Sequence, residues 1–167
     1  VSPSQAVKIY KHYGDGAVAK LRANPYILAK DIAGIGFLNA DKIAREMGIA
    51  PDATARLKAG VCHVLDKASG QGHVYFSGEQ LRTGASALLG VPAEQFTKIF
   101  AEMMVQQELQ VEDDCWYLPS LHIAETGCAE RLKRLIRAPL EHIPIQMENA
   151  LKWVARQVGI ELSPEQQ

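Results

Sequence analysis

The sequence predicts a mainly α-helical fold that includes one small β-hairpin. Apolar residues recur at helical spacing along most of the chain, and glycines and prolines end these stretches. Two short segments, 109–112 and 115–118, flank an acidic Asp113-Asp114 turn, which is typical of a hairpin. With 167 residues, 47% of them hydrophobic, the chain can bury a core. No apolar stretch reaches the roughly 18 to 20 residues of a membrane-spanning helix, so no membrane partner is expected.

Capping signals locate the first helices. Ser2 can accept from the backbone N–H of Gln5, whose side chain can return to Ser2, and Pro3 suits a first helical turn. Gly14 is expected to end this helix. The same Ser-x-x-Gln box at 77–80 predicts the start of a helix that reaches about Leu89. Further helices are predicted over about 16–23, 25–30, 37–47, 53–69, 92–107, 124–137 and 144–158, and strands over 73–76, 109–112 and 115–118.

The most specific motif is DIAGIGFLNADKIA, which runs from Asp31 to Ala44. Gly34-Ile35-Gly36 allows a tight turn, and the small Ala40 lets the two flanking helices approach closely. The first amides of the second helix favour an anion, to which Lys42 adds a point charge. The pattern predicts a helix-hairpin-helix that contacts the DNA backbone and not the bases, and in which a Cβ at Gly36 would crowd the turn and the phosphate. The predicted DNA-binding residues are Gly34, Ile35, Gly36, Asn39 and Lys42.

Two readings of this region stay open. Gly34-Ile35-Gly36 could be a tight interhelical turn without a ligand. Ala6 and Ile9 have the same spacing from Ser2 as Ala40 and Ile43 have from Gly36, which fits either a truncated second hairpin or a simple capped helix.

The middle of the chain predicts a winged-helix-like domain, because residues 53–118 have the order helix, strand, helix, helix, strand, strand. Its charge differs from that of its neighbours: residues 1–69 have a net charge of +4, 70–130 of −7 and 131–167 of +2. The helix in the recognition position offers Lys98 as its only basic residue, beside Glu94 and Glu102, and the acidic turn would be repelled by phosphate. This domain is therefore expected to be structural or to bind a partner protein.

These observations predict three parts of the chain: a helix-hairpin-helix region over 1–50, a winged-helix-like domain over 51–122 and a helical linker over 123–167. The linker carries a basic helical cluster, for which a solvated face is the default and a contact with DNA or a motor the alternative: Arg131, Lys133, Arg134 and Arg137. The scattered cysteines and histidines give no metal-site or disulfide pattern, and no grouping of residues predicts catalysis.

The segment NPYILAKDIAGIGFLNADKIAREMGI, within the run from Val1 to about Ala59, resembles the N-terminal part of the RecD-like (RecD/TraA-related) DNA helicases. AGVCHVLDKASGQGHVYFS and VYFSGEQL continue the resemblance, and GIELSPEQQ is similar to the segment just before the motor. The resemblance implies an ATP-dependent bacterial superfamily-one helicase moving 5′ to 3′, often labelled an exodeoxyribonuclease V alpha-type subunit. It further implies ATP and Mg as cofactors of the parent chain, an adenine-reading role for Gln166, a cytoplasmic location and a part in repair and recombination.

This chain departs from that family in lacking the phosphate-binding sequence GxxxxGK[ST]. It is therefore expected to have no catalytic residue and no cofactor of its own, and to be the accessory region that precedes the motor. The expected partners are the DNA backbone, single-stranded or at a junction, the motor domains of the same chain, and other repair proteins. The alternative is a protein–protein interaction module with negligible DNA binding.

Overall fold

The structure is a computed structural model that describes residues 2–139, 146–159 and 163. The chain divides into two compact units, residues 1–129 and 130–167. Its described part is mainly helical and contains one three-stranded antiparallel sheet, which confirms the predicted helical class. None of the described helices has the length and apolar character needed to cross a bilayer.

The N-terminal region consists of short helices, and its first helix has the predicted caps. The Gln5 N–H donates to Ser2 Oγ at 3.3 Å, and the Ser2 N–H donates to Gln5 Oε1 at 3.0 Å. Gly14 ends this helix with φ +58° and starts a single 3-10 turn over Gly14–Gly16. The helices are α1 (Pro3–Tyr13), α2 (Ala17–Ala23), α3 (Ile27–Asp31) and α4 (Phe37–Glu46).

The next elements follow the predicted order of helix, strand, helix, helix, strand, strand. They are α5 (Thr54–Ser69), β1 (Phe76–Ser77), α6 (Gly78–Leu89), α7 (Gln95–Val105), β2 (Gln110–Glu112) and β3 (Cys115–Tyr117). In the sheet β3 lies between β1 and β2, and Trp116 is the register partner of both Phe76 and Val111. The Ser77 capping box at the start of α6 is also confirmed.

The predicted strand over 73–76 is wrong at its N-terminal end. The His73 N–H donates to Ala68 O at 3.0 Å, so the chain is still turning off the end of α5 at that point. Pairing with β3 therefore begins only at Phe76 and continues to Ser77.

The acidic turn between β2 and β3 is a tight hairpin, as predicted. Asp113 and Asp114 have φ values of +47° and +62°, a conformation that aspartate tolerates better than most residues. Asp114 Oδ1 accepts from the Gly78 N–H at 3.2 Å and from Trp116 Nε1 at 3.0 Å. The turn is thereby fixed to the first residue of α6.

One buried cluster runs through the first unit, from Ile9 to Leu109. The predicted apolar face of α7 lies within it: Phe96, Ile99, Phe100 and Met103 are all buried. Because this unit contains both the 1–50 and the 51–122 ranges without dividing them, the three predicted domains stay a prediction.

The last two helices are α8 (Pro119–Arg137) and α9 (Met147–Val158). The predicted start of α8 at 124 is wrong, because Pro119 already opens the helix and Leu118 O accepts from the N–H groups of Leu121 and His122. Residues 144 and 145, the predicted start of α9, lie outside the described residues. In the second unit the predicted basic cluster of α8 is fully on the surface.

Candidate nucleic-acid interface

The connection between α3 and α4 is a five-residue turn with two exposed glycines. Gly34 has φ +85°, which glycine adopts without steric cost. Between the glycines, Ile35 is 1% exposed, and its N–H donates to Ile32 O at 3.0 Å. The turn is therefore anchored by the buried side chains of Ile32 and Ile35, while its two glycines are exposed.

The N-terminus of α4 has no side-chain cap among the described residues. Gly36 is the N-cap, and no side chain of the described residues caps it. Gly36 O accepts from the N–H groups of Asn39 and Ala40, whereas the first amides of a helix have no partner inside it. The amides of Phe37 and Leu38 are thus placed to donate to an anion, as the positive end of the helix dipole favours.

The structure brings the predicted residues together, with different accessibilities. Gly34 and Gly36 are exposed on the turn, and Asn39 and Lys42 are exposed on α4. The side chain of Ile35 is buried, so Ile35 can contribute only through its backbone. Gln166 lies outside the described residues.

The expectation that a Cβ at Gly36 would crowd the turn is wrong. Its φ of −81° and ψ of 175° suit any residue, and a Cβ there would have no atom within 4 Å. A side chain at Gly36 therefore does not crowd the turn; it would extend into the open space before α4. At Gly34 the reverse holds, because φ is positive and a Cβ would lie 3.1 Å from Lys8 Nζ.

An ion pair between Asp41 of α4 and the buried Arg56 of α5 orients α4. Asp41 accepts from Arg56 Nε at 2.8 Å, from Arg56 Nη2 at 3.0 Å and from Tyr26 Oη at 2.8 Å. Burial works to raise the pKa of Asp41, but the hydrogen bonds from Arg56 and Tyr26 outweigh it and keep this pKa below its usual value. Arg56 also donates to the carbonyls of Pro51 and Leu89, so one guanidinium joins α4, α5 and the end of α6.

Aromatic rings back the first turn of α4. Phe37 stacks on Tyr26 at 6.0 Å between ring centroids and on His63 of α5 at 5.0 Å. Burial lowers the pKa of His63, which favours the neutral ring in this stack. The residue that supplies one of the open amides is thus fixed by its own side chain.

Helix α1 lies beside the turn and contributes residues that the motif did not predict. Lys8 Nζ donates to Ala33 O at 3.4 Å, and Tyr13 Oη donates to Asp31 Oδ2 at 2.7 Å. Loss of solvent and the Asp31 carboxylate raise the pKa of Tyr13 to about 12. Lys8 precedes Ala33 by 25 residues, so no local spacing could have placed it at the turn.

These features define the chain's N-terminal part as a helix-hairpin-helix region. Residues 1–75 match the family model described as the helix-hairpin-helix domain of the ATP-dependent RecD2 DNA helicase. The chain is also 28% identical over 151 residues to the ATP-dependent RecD2 DNA helicase of Deinococcus radiodurans, a match that covers 81% of this chain.

Residues 1–75 therefore match a RecD2 helix-hairpin-helix region, and the chain is distantly similar to a RecD2 helicase over most of its length. This confirms the resemblance found in the sequence. The matched segment makes up 21% of the Deinococcus protein, so this chain spans about a fifth of that relative's length.

Proposed function

We propose that this chain is the non-catalytic accessory region of an ATP-dependent 5′–3′ DNA helicase and that its hairpin contacts the DNA backbone without sequence preference. The observation that carries the proposal is the exposed glycine turn before the uncapped α4. Backbone amides and ammonium groups meet phosphate oxygens, which are the same in every sequence. Asn39 and Lys42, both exposed on α4, add a polar and a cationic contact.

Several finer features belong to the same proposal. ATP and Mg would serve the motor of the longer protein, where Gln166 would read adenine. The motor domains, and other repair proteins, would be the protein partners of this region. A bacterial cytoplasmic location and a role in repair and recombination follow from the same assignment.

Residues 51–122 form the proposed winged-helix-like domain. The order α5, β1, α6, α7, β2, β3 and the β1-β3-β2 sheet support it. The position of a recognition helix is taken by α7, on whose surface Lys98 lies near the exposed Glu94, and the tip of the wing is acidic. These charges favour a structural or partner-binding role for this domain over DNA contact.

The exposed end of α7 supports a second candidate, a protein-interaction module that binds DNA negligibly. Val105 is 85% exposed and Met104 45% exposed at the C-terminal end of this helix. Exposed apolar side chains can add to a protein contact, and they contribute nothing to phosphate binding.

Fluorescence anisotropy of a labelled oligonucleotide at low salt distinguishes the two candidates. Gly36→Val should weaken binding by obstructing the open space before α4, and Lys42→Glu should weaken it through charge. Lys98→Glu is the matched control and should leave binding unchanged. If Lys98→Glu weakens binding as much as Lys42→Glu, the winged-helix-like domain is the DNA contact; if the unmodified chain does not bind, the interaction module is the better assignment.

A further inference from the structure

A shallow cleft of about 300 Å³ lies between α1 and the glycine turn that connects α3 to α4, which is called the hairpin turn below. We call it the α1 cleft; it is lined by Lys8, Lys11, His12, Asp31, Ile32 and Ala33. Both lysines are exposed, and within the described part of the chain neither forms a salt bridge. The cleft therefore presents two lysine ammonium groups against a single carboxylate, that of Asp31, beside the turn.

We propose that the α1 cleft binds a phosphate of the same DNA strand that the hairpin turn contacts, with Lys8 as the principal ligand. This inference rests on the function proposed above and extends that site beyond the motif onto a second helix. The Lys8 ammonium has three N–H donors, one of which is directed at Ala33 O. The other two are available to a phosphate in the cleft.

The distances suit neighbouring phosphates. Lys8 Nζ lies 3.1 Å from the position of a Cβ on Gly34, so it is next to the first glycine of the turn. Gly34 and Gly36 are two residues apart, and their Cα atoms cannot be separated by more than about 7.6 Å. A DNA strand carries one charge per roughly 3.4 Å of helix axis, so one short stretch of strand can reach both Lys8 and the amides of α4.

The Asp31 carboxylate should repel a phosphate in this cleft, so removing its charge should strengthen DNA binding. Its carboxylate lines the same cleft and accepts from Tyr13 Oη at 2.7 Å. The side-chain carbonyl of an asparagine could accept the same hydrogen bond without the negative charge. Asp31→Asn should therefore strengthen DNA binding while preserving the contact between α1 and α3.

The experiment measures the binding of the 167-residue chain to a labelled single-stranded oligonucleotide at roughly 50 and 200 mM salt. Lys8→Met should weaken binding and reduce the slope of log K against log salt by about 0.7, which makes the fourfold salt change about 2.6-fold less damaging. Lys8→Arg should retain the slope, and Asp31→Asn should increase affinity at the lower salt. Lys98→Met, which removes an exposed lysine from α7, is the matched control and should change neither quantity.

The two proposals fail in different ways. If Lys8→Met keeps the full slope while Gly36→Val and Lys42→Glu still weaken binding, the α1 cleft binds no phosphate but the hairpin does. A weaker affinity with an unchanged slope means that Lys8 only supports the turn through Ala33, which also overturns the inference. If the unmodified chain does not bind, or Gly36→Val and Lys42→Glu have no effect, the proposed function itself fails.

Discussion

Replacing Arg56 by Met should strongly destabilise the first unit. Arg56 is 4% exposed, and it makes two hydrogen bonds to Asp41 and one each to the carbonyls of Pro51 and Leu89. The substitution keeps most of the side-chain volume. Among the described residues it leaves Tyr26 as the one hydrogen-bond donor to the Asp41 carboxylate, whose side chain is 14% exposed. Breaking a buried ion pair in this way costs about 3–5 kcal/mol.

Thermal unfolding followed by circular dichroism measures this loss. For a chain of this size, about 3–5 kcal/mol corresponds to a decrease in Tm of roughly 6–20 °C. Arg22→Met, which removes an exposed arginine from α2, is the control and should change the stability by at most about 0.5 kcal/mol. The double variant Asp41→Asn with Arg56→Met should recover much of the loss, because no uncompensated charge is then buried.

The ion pair also predicts a pH dependence with a definite sign. The pKa of Asp41 is lower in the folded chain than in the unfolded one, where it is about 3.9. The stabilisation by Asp41 is therefore complete above that unfolded pKa and is lost as the pH falls through the folded pKa. Arg56→Met should weaken this acid sensitivity. A loss below about 1 kcal/mol for Arg56→Met, or a double variant as unstable as the sum of its single changes, would refute the reasoning.

Two further predictions concern backbone conformation. Gly34→Ala should destabilise the chain by about 1–2 kcal/mol, because φ is +85° there, whereas Gly36→Ala should be neutral or slightly stabilising. Urea unfolding measures both changes, and equal losses of stability would contradict the turn geometry. Asp114→Ala should lower the free energy of unfolding by about 1–2 kcal/mol, because it removes the acceptor for the Gly78 amide and for Trp116 at a position with φ +62°. Asp114→Asn retains an acceptor, so its stability should stay near that of the unmodified chain. A loss of the same size for Asp114→Asn would show that the charge matters and not the hydrogen bonding.

Local features of the fold were predictable from the sequence because their determinants are local. The capping boxes at Ser2 and Ser77 depend on residues three positions apart, and both form as expected. The glycine turn and the acidic β-hairpin turn likewise follow from short stretches of sequence. By contrast, the predicted start of α8 at 124 lies five residues too late, because Pro119 is itself the first residue of the helix.

The parts that sequence reasoning missed depend on tertiary contacts. Asp41 and Arg56 are 15 residues apart, and nothing in their local pattern marks Arg56 as buried. Lys8 is likewise 25 residues from the carbonyl that it contacts. In each case the contact joins residues far apart in the sequence, and the charged side chains involved are, taken singly, typical of a solvated helix surface.

The hairpin turn is held rigidly, and this affects how weakly it can bind DNA and still serve the proposed role. Ile35, the Phe37 ring stack and the Asp41–Arg56 pair already fix the turn, so binding a phosphate requires little further ordering of the backbone. Even so, a few phosphate contacts give only sequence-independent affinity, typically about 10⁻⁴ to 10⁻⁶ M at physiological salt. Such a contact becomes effective when it is tethered to a second DNA-binding unit, because a short linker raises the local concentration to about the millimolar range. Within the proposed function, weak binding by the isolated chain is therefore the expected property of a region that works beside a motor.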